Sequence, residues 1–280
     1  MRALYTAASG LTAQQTRLDV ISHNMANLNT VGFKEKQSQF AEMLRSEFTQ
    51  PDEFQLQGRA SAAGLRIGNG SYAAHLGQIF SQGSIQTTGN NTDLAVQGEG
   101  FFTIGIPSNG SGSPYQTAFT RSGNFHVDGN GMLVTDEGYP LLNQSGQPIR
   151  LPAGVDGQSM SVKTDGQILA DSGNGPAYVD TVNLVLVRNP EENLQEVGDN
   201  LYRIAPGTNY NPLNDSLGKL TQKSDLDRIG TIRQGALEMA NVDLAKEMAD
   251  LMEVQRAYQI NARSVATIDT MMGLANNLRS

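Results

Sequence analysis

Few residue clusters in this sequence have the types and spacing that chemistry requires. Gly98-Glu99-Gly100-Phe101-Phe102 carries the Gly-x-Gly start of a nucleotide cradle. A phosphate needs backbone N–H groups at the start of a helix, with a third glycine opening it. Here an apolar, strand-like run follows, so a tight turn fits better. Asp128-Gly129-Asn130-Gly131 has the flavour of a calcium loop but lacks its alternating ligands and closing glutamate. It reads as a hairpin turn. His23, His75 and His126 lie on separate stretches without paired spacing, so no metal site is expected. Ser216-Leu217-Gly218-Lys219 has the Ser-x-x-Lys spacing of a nucleophile and its base, yet no companion motif accompanies it. Glu191-Glu192, inside Pro190-Glu191-Glu192-Asn193, reads as a solvated turn. No catalytic, cofactor-binding or metal-ligating set is expected, and no cofactor.

Bulk composition narrows the classes further. At 280 residues the chain is long enough for two or three domains. It has no cysteine, which removes disulfides, thiolate metal sites and cysteine nucleophiles, and suits any redox compartment. No apolar run reaches about 18 residues, so no membrane insertion is expected. Met1-Arg2-Ala3 leads directly into an amphipathic pattern, without the apolar core of a secretory signal. By itself this implies a cytoplasmic protein, unless export uses a route without a cleaved signal. The net charge of −8 is concentrated: residues 91–220 hold 6 basic and 14 acidic groups, residues 1–90 hold 7 and 6, and residues 221–280 hold 7 and 8. An acidic middle argues against a nucleic-acid surface. Near-neutral ends suit surfaces that pack against copies of themselves.

The elements that dominate the chain are its two ends. Leu237, Leu244, Leu251, Tyr258, Val265 and Met272 recur every seven residues. Ala240, Val254, Ile268 and Ala275 form a companion row that Glu247 and Asn261 interrupt. A seven-residue apolar repeat keeps one seam of a helix turned toward a partner, with a slight left-handed supercoil. One helix over residues 237–279 would be about 60 Å long, and needs something long to lie against. Leu4, Leu11, Leu18 and Met25 supply a match, with Ala7, Ile21 and Leu28 beside them and polar Gln14 as the exception. A helix is predicted over residues 3–27, stopping within Asn27-Leu28-Asn29-Thr30-Val31-Gly32. The interaction residues expected are therefore Leu4, Leu11, Leu18, Ile21, Met25, Leu28, Leu237, Leu244, Leu251, Tyr258, Val265 and Met272. They pair the two ends with each other and with neighbouring copies; two core helices of one ordinary domain are the plainer alternative.

The middle is built differently. Of 30 glycines, 27 fall between Gly58 and Gly235, and all ten prolines fall between Pro51 and Pro212. Residues 40–48 read as a short second helix, and residues 50–70 as a polar loop with a short strand at Gly64-Leu65-Arg66-Ile67-Gly68. Strands are predicted over residues 93–96, 101–106, 119–127, 132–135, 160–163, 182–187 and 201–204. Turn dipeptides such as Asp128-Gly129, Asn130-Gly131, Asp156-Gly157 and Asp165-Gly166 separate them. The fold class expected is α+β: long N- and C-terminal helices forming a coiled-coil-like unit, with an inserted, mainly antiparallel β domain. Residues 1–34 plus 236–280 are read as a helical polymerisation domain, 35–90 as a polar segment with short strands, and 91–235 as the inserted domain.

Ser22-His23-Asn24-Met25-Ala26-Asn27-Leu28-Asn29-Thr30-Val31-Gly32-Phe33-Lys34 resembles the signature of the flagellar basal-body rod and hook proteins, whose core matches Asn27, Thr30, Gly32, Phe33 and Lys34. Gln234-Gly235-Ala236-Leu237-Glu238-Met239-Ala240-Asn241-Val242-Asp243 and Gln255-Arg256-Ala257-Tyr258-Gln259-Ile260-Asn261 resemble the C-terminal motifs of that family. Gly98-Glu99-Gly100-Phe101-Phe102 and Phe119-Thr120-Arg121-Ser122-Gly123-Asn124-Phe125 resemble its central landmarks. Met239-Ala240 departs locally, where Ser commonly precedes Asn-Val-Asp. The length and Gly64-Leu65-Arg66-Ile67-Gly68-Asn69-Gly70, with the polar insertion before it, are most similar to distal rod members.

The resemblance implies a structural, non-enzymatic subunit located in the flagellar basal body. It implies export through the flagellar type III apparatus without a cleaved signal, and extracytoplasmic assembly into a hollow helical tube that carries torque from motor to hook. The implied partners are further copies, adjacent rod and hook proteins and the export apparatus, with no nucleic acid and no membrane insertion. A proximal rod or hook subunit is the alternative within the family. Outside it, the alternative is a soluble carbohydrate-binding or enzymatic β domain on a helical oligomerisation stalk, which requires a pocket of convergent polar groups in residues 91–220.

Overall fold

The computed structural model describes residues 2–43, 46–48, 65–67, 70–107, 115–152, 155, 157–171, 175–207 and 228–277. They form two compact units. Met1–Ala26, Lys36–Gln78 and Asp243–Ser280 make the first; Asn27–Glu35 with Ile79–Val242 make the second. Helices stand at both ends of the chain and an antiparallel β region lies between them in sequence, so the fold is α+β.

In the first unit, helix α1 spans Arg2–Ala26, a stretch with no proline and Gly10 as its only glycine. Strands β1 (Lys36–Glu42), β2 (Ser46–Phe48), β3 (Leu65–Ile67) and β4 (Ser71–Gln78) follow as two antiparallel pairs, β1 with β4 and β2 with β3. The C-terminal helix, α3, spans Leu244–Asn277, 34 residues and so about 50 Å long. Its start is set by Asp243, whose Oδ1 accepts from Ala245 N at 2.9 Å as an N-cap. The seven-residue row beginning at Leu237 therefore enters the helix only at Leu244. The helix predicted over residues 40–48 is absent: β1 runs through Phe40 to Glu42, and Ser46–Phe48 is β2. Glu42 pairs with Ser71, 29 residues on, and Phe48 with Leu65, 17 residues on, pairings that no local pattern announces. The short strand expected at residues 64–68 forms as β3 over Leu65–Ile67, while the rest of the 50–70 loop lies largely outside the described residues.

The β1–β4 ribbon lies along α1 and is pinned at two points. Asn24 offers its side-chain amide to one backbone position, donating Nδ2 to Lys36 O and accepting from Lys36 N, both at 2.9 Å. At the far end Ser71 N donates to Ser9 Oγ at 3.4 Å. Fifteen helical residues and six strand steps both span about 20 Å, so the two elements run in parallel courses of equal length.

The second unit holds β5 (Ile85–Thr87), β6 (Leu94–Gln97), β7 (Gly100–Pro107), β8 (Tyr115–Thr120), β9 (His126–Val127), β10 (Leu133–Val134), β11 (Met160–Val162), β12 (Gln167–Asp171), β13 (Pro176–Thr181) and β14 (Leu184–Leu186). A helical turn, α2 (Pro190–Asn193), precedes β15 (Leu194–Gly198), β16 (Leu201–Ile204), β17 (Thr231–Gln234) and β18 (Ala236–Glu238). The main sheet has the order β14-β7-β8-β16-β15, and β11-β12-β13 form a second. Along β7, Phe102 and Ile104 point into the larger core with Leu133, Leu141 and Leu184, while Phe101 joins Phe119, Val185 and Tyr202 on the other face. That two-sided burial explains the unbroken apolar runs read as strands. β17 pairs with β6 and β18 with β5, so the C-terminal side of the chain completes this unit. Residues 35–90, read from composition as one segment, divide between the two units.

Candidate functional site

Helices α1 and α3 run antiparallel. A Cβ on Gly10 would lie 3.2 Å from Asn261 Nδ2, Arg17 Nη2 lies 3.5 Å from Asp250 Oδ1, and Asn24 Nδ2 donates to Glu247 Oε1 at 3.2 Å. Of the predicted seam residues, Leu4, Leu11, Leu18 and Met25 are half-buried and Ile21 is fully buried. Leu28 is half-buried in the second unit, beyond the end of α1. On α3, Leu251 and Val265 are half-buried, whereas Leu244, Tyr258 and Met272 are exposed. Leu237 is half-buried, but on β18 rather than in a helix. Sequence apolarity ranked that row first, yet the side turned to α1 is the companion row, with Val254 at 0% exposure and Glu247 at 3%. The cause lies on α1: Gly10 and the buried Ala13 are small enough for close approach, and Asn24 donates to one oxygen of the Glu247 carboxylate. Outward, α3 leaves Met248, Met252, Ile260, Met271 and Leu274 uncovered, and α1 leaves Tyr5.

The signature residues gather in the second unit around one buried carboxylate. Thr30 Oγ1 donates to Asn27 Oδ1 at 3.1 Å and Thr30 N to Asn27 O at 3.0 Å, closing a turn. Gly32 follows at φ 68°, and its N donates to Glu238 O at 2.8 Å. Any Cβ there would sit 2.4 Å from Ser122 N, so only glycine fits. Phe33 is buried. Lys34 Nζ donates to Glu238 Oε1 at 2.6 Å and to Ser81 O at 2.8 Å. Arg121 Nη1 donates to Glu238 Oε2 at 3.2 Å, with its guanidinium 4.7 Å above the Phe101 ring. Gly83 N donates to Glu238 Oε1 at 2.9 Å. Asn241 closes the group: its Oδ1 accepts from Glu35 N at 2.7 Å, and its Nδ2 donates to Ile79 O at 2.8 Å.

Four motifs far apart in sequence thus share one buried knot. It fastens the segment after α1 to the segment before α3, and both to the sheet. The roles of Arg121, Glu238 and Asn241 were not legible beforehand, since nothing local marks a charged residue as buried. Gly32→Ala is expected to cost about 1–3 kcal/mol through the strained conformation and the close contact, read as a lowered urea midpoint.

Two cations share this one carboxylate. Burial pushes Lys34 down from 10.5 to about 8; the Glu238 carboxylate opposes that shift and the Arg121 charge adds to it. Between those two pH values the unfolded chain holds the proton more firmly than the folded one. This group therefore makes stability rise with pH through that window, and contributes no slope below it. In parallel melts the parent chain should gain on Lys34→Met from pH 8 to pH 10.5. A constant difference between the two would refute that assignment.

The clusters first inspected for chemistry serve as turns and crossings. Gly98, at φ 146°, crosses Gly230 where a Cβ would meet its Cα at 2.5 Å, and Glu99 pairs on the surface with Arg228 at 2.7 Å. Gly131 N donates to Asp128 O at 2.8 Å, closing the β9–β10 hairpin. His23, His75 and His126 are exposed on separate elements. Ser216 and Lys219 lie outside the described residues.

Family comparison assigns three stretches. Residues 4–34 match the flagella basal body rod protein family, residues 95–170 the flagellar hook protein FlgE/F/G D1 domain, and residues 233–278 the flagellar basal body rod FlgEFG protein C-terminal region. These cover α1 with its signature, the strands from β6 to β12, and the run from β17 into α3. They define a structural protein of the bacterial flagellar basal body. Over the whole chain, identity is 34% across 281 residues with flagellar basal-body rod protein FlgG of Borreliella burgdorferi, covering 100% of this chain and 99% of that one. It is 34% across 288 residues with FlgG of Bacillus subtilis, covering 100% and 99%. It is 32% across 288 residues with the flagellar hook-basal body complex protein FlhP of Bacillus subtilis, covering both chains in full. The chain belongs to the flagellar basal-body rod protein family, and it is a structural subunit of that rod.

Proposed function

We propose that the subunit polymerises through the outer faces of α1 and α3 into a hollow helical tube at the distal end of the rod, transmitting torque toward the hook. One observation carries this reading: Met248, Met252, Ile260, Met271 and Leu274 remain uncovered on a helix whose opposite side is already packed. Uncovered apolar side chains grouped on one face of a helix mark an interaction surface. Each such side chain contributes roughly 1.5–3 kcal/mol when buried. A handful from each of two copies therefore offsets the roughly 4–15 kcal/mol cost of association. A head-to-tail contact that does not close a ring gives a filament. In this reading α1 and α3 together are the polymerisation part, coiled-coil-like in the assembled tube, and the β unit is the part left free to face outward. Export as an unfolded chain through the type III apparatus suits a sequence with no cysteine to misoxidise in transit.

Negative-stain microscopy and sedimentation of the purified full chain, beside a chain lacking residues 2–26, test the reading. Tubes that form with rising concentration only in the full chain are expected. Equal assembly by the truncated chain, or none by either, would sink it. The distal position is favoured by the resemblance in residues 64–70. Rescue of a strain lacking its distal rod subunit, and not of one lacking its hook subunit, checks it.

A further inference from the structure

The apolar rows of α1 and α3 repeat every seven residues, and repetition carries an ambiguity. Sliding one helix by seven residues past the other sets apolar side chains against apolar side chains again, so apolar contacts alone choose weakly among registers. A third row on α1, also spaced by seven, is not apolar: Gly10, Arg17 and Asn24. Opposite it on α3 stand Asn261, Val254 and Glu247, the row whose polar members break the apolar pattern. Gly10 meets Asn261 and Asn24 meets Glu247, two heptads apart, with Arg17 beside Asp250 between them.

We infer that these polar residues, rather than the leucine rows, are the register determinants of the helix pair. Asn24, at 1% exposure, is held by both backbone groups of Lys36, which aims its Nδ2 at Glu247. A slide of one heptad brings Val254 opposite Asn24 and Ile268 opposite Gly10. The buried amide then loses its acceptor, the carboxylate loses its donor, and the bulkier isoleucine faces the position where a Cβ already meets a neighbour at 3.2 Å. Register in turn decides how far along α1 each outward apolar side chain of α3 stands. The same determinants therefore set the surface offered to another copy, a consequence that rests on the assembly reading, whereas the register itself does not.

The native chain has no cysteine, so introduced pairs report register without background. Gly10→Cys with Asn261→Cys reads the observed register, and Gly10→Cys with Ile268→Cys reads the slid one. In dilute full-length protein under mild oxidation, the first pair should cross-link within the chain at least about tenfold faster, the ratio that about 1.4 kcal/mol of preference gives. Adding Asn24→Leu with Glu247→Leu should bring the two rates together while helical circular dichroism is kept. The conservative Glu247→Gln, which keeps an acceptor opposite Asn24, should retain the preference even where the double leucine variant fails to fold. Equal rates in the otherwise unaltered chain, an undiminished ratio in a folded double leucine variant, or its loss in Glu247→Gln would each overturn the inference. A chain that cross-links in the observed register yet forms no polymer would sink the assembly reading alone.

Discussion

Glu238→Leu is expected to destabilise the β unit by about 3–5 kcal/mol, because it strands two buried cations without their common counter-charge. In calorimetry that is a loss of roughly 6–20 °C in the melting midpoint of a unit of this size. The geometry makes the prediction sharper than the general rule. Lys34, Arg121 and Glu238 are each no more than 2% exposed, and Glu238 also accepts from Gly83 N. Lys34→Met, in contrast, removes the surplus charge and leaves Arg121 facing Glu238 as a neutral pair. Ser81 O keeps Asn241 Nδ2 as a donor at 3.2 Å. That variant should cost only about 1 kcal/mol, the net worth of an ordinary hydrogen bond. Equal losses in the two variants would show that the knot is a packing unit with no charge asymmetry.

The second large effect separates folding from assembly. Val254, at 0% exposure, faces α1, whereas Ile260, at 62%, faces away. Val254→Asp puts a carboxylate at a fully buried position, where Arg17 opposite is already paired with Asp250; it should cost several kcal/mol and dissolve the helix pair, seen as lost helical circular dichroism. Ile260→Asp should change the isolated chain by no more than about 0.5 kcal/mol, as exposed substitutions do. Both should abolish rods and motility, the first by unfolding the pair and the second by placing a charge in the proposed contact between copies. Normal motility with Ile260→Asp would place the contact elsewhere on the surface.

Much of the architecture was readable in advance because it rests on local physics. Seven-residue apolar spacing with no proline dictated helices at both ends, Asp-Gly and Asn-Gly dictated hairpin turns, and unbroken apolar runs marked β7 and β14. Strands with few apolar residues escaped: β1 forms on the distant β4, and β13 and β15, which bury no residue fully, are strands only through pairing with their hairpin partners β12 and β16. The strand predicted over residues 119–127 instead ends at Thr120, where Arg121 turns inward to Glu238 and Gly123 crosses Leu94 too closely for any side chain.

By itself the sequence determined the ingredients: two amphipathic ends, a turn-rich β middle, a glycine at position 32 and a family signature around it. Tertiary structure decided which side of the C-terminal helix is inward, and that the interruptions Glu247 and Asn261 are contacts rather than flaws. It also decided that Lys34, Arg121 and Glu238 share one buried site. Hydrophobic periodicity is a property of one element and can be counted along a chain. The worth of a buried charge or amide depends on what stands opposite, and that partner is supplied only when distant segments meet.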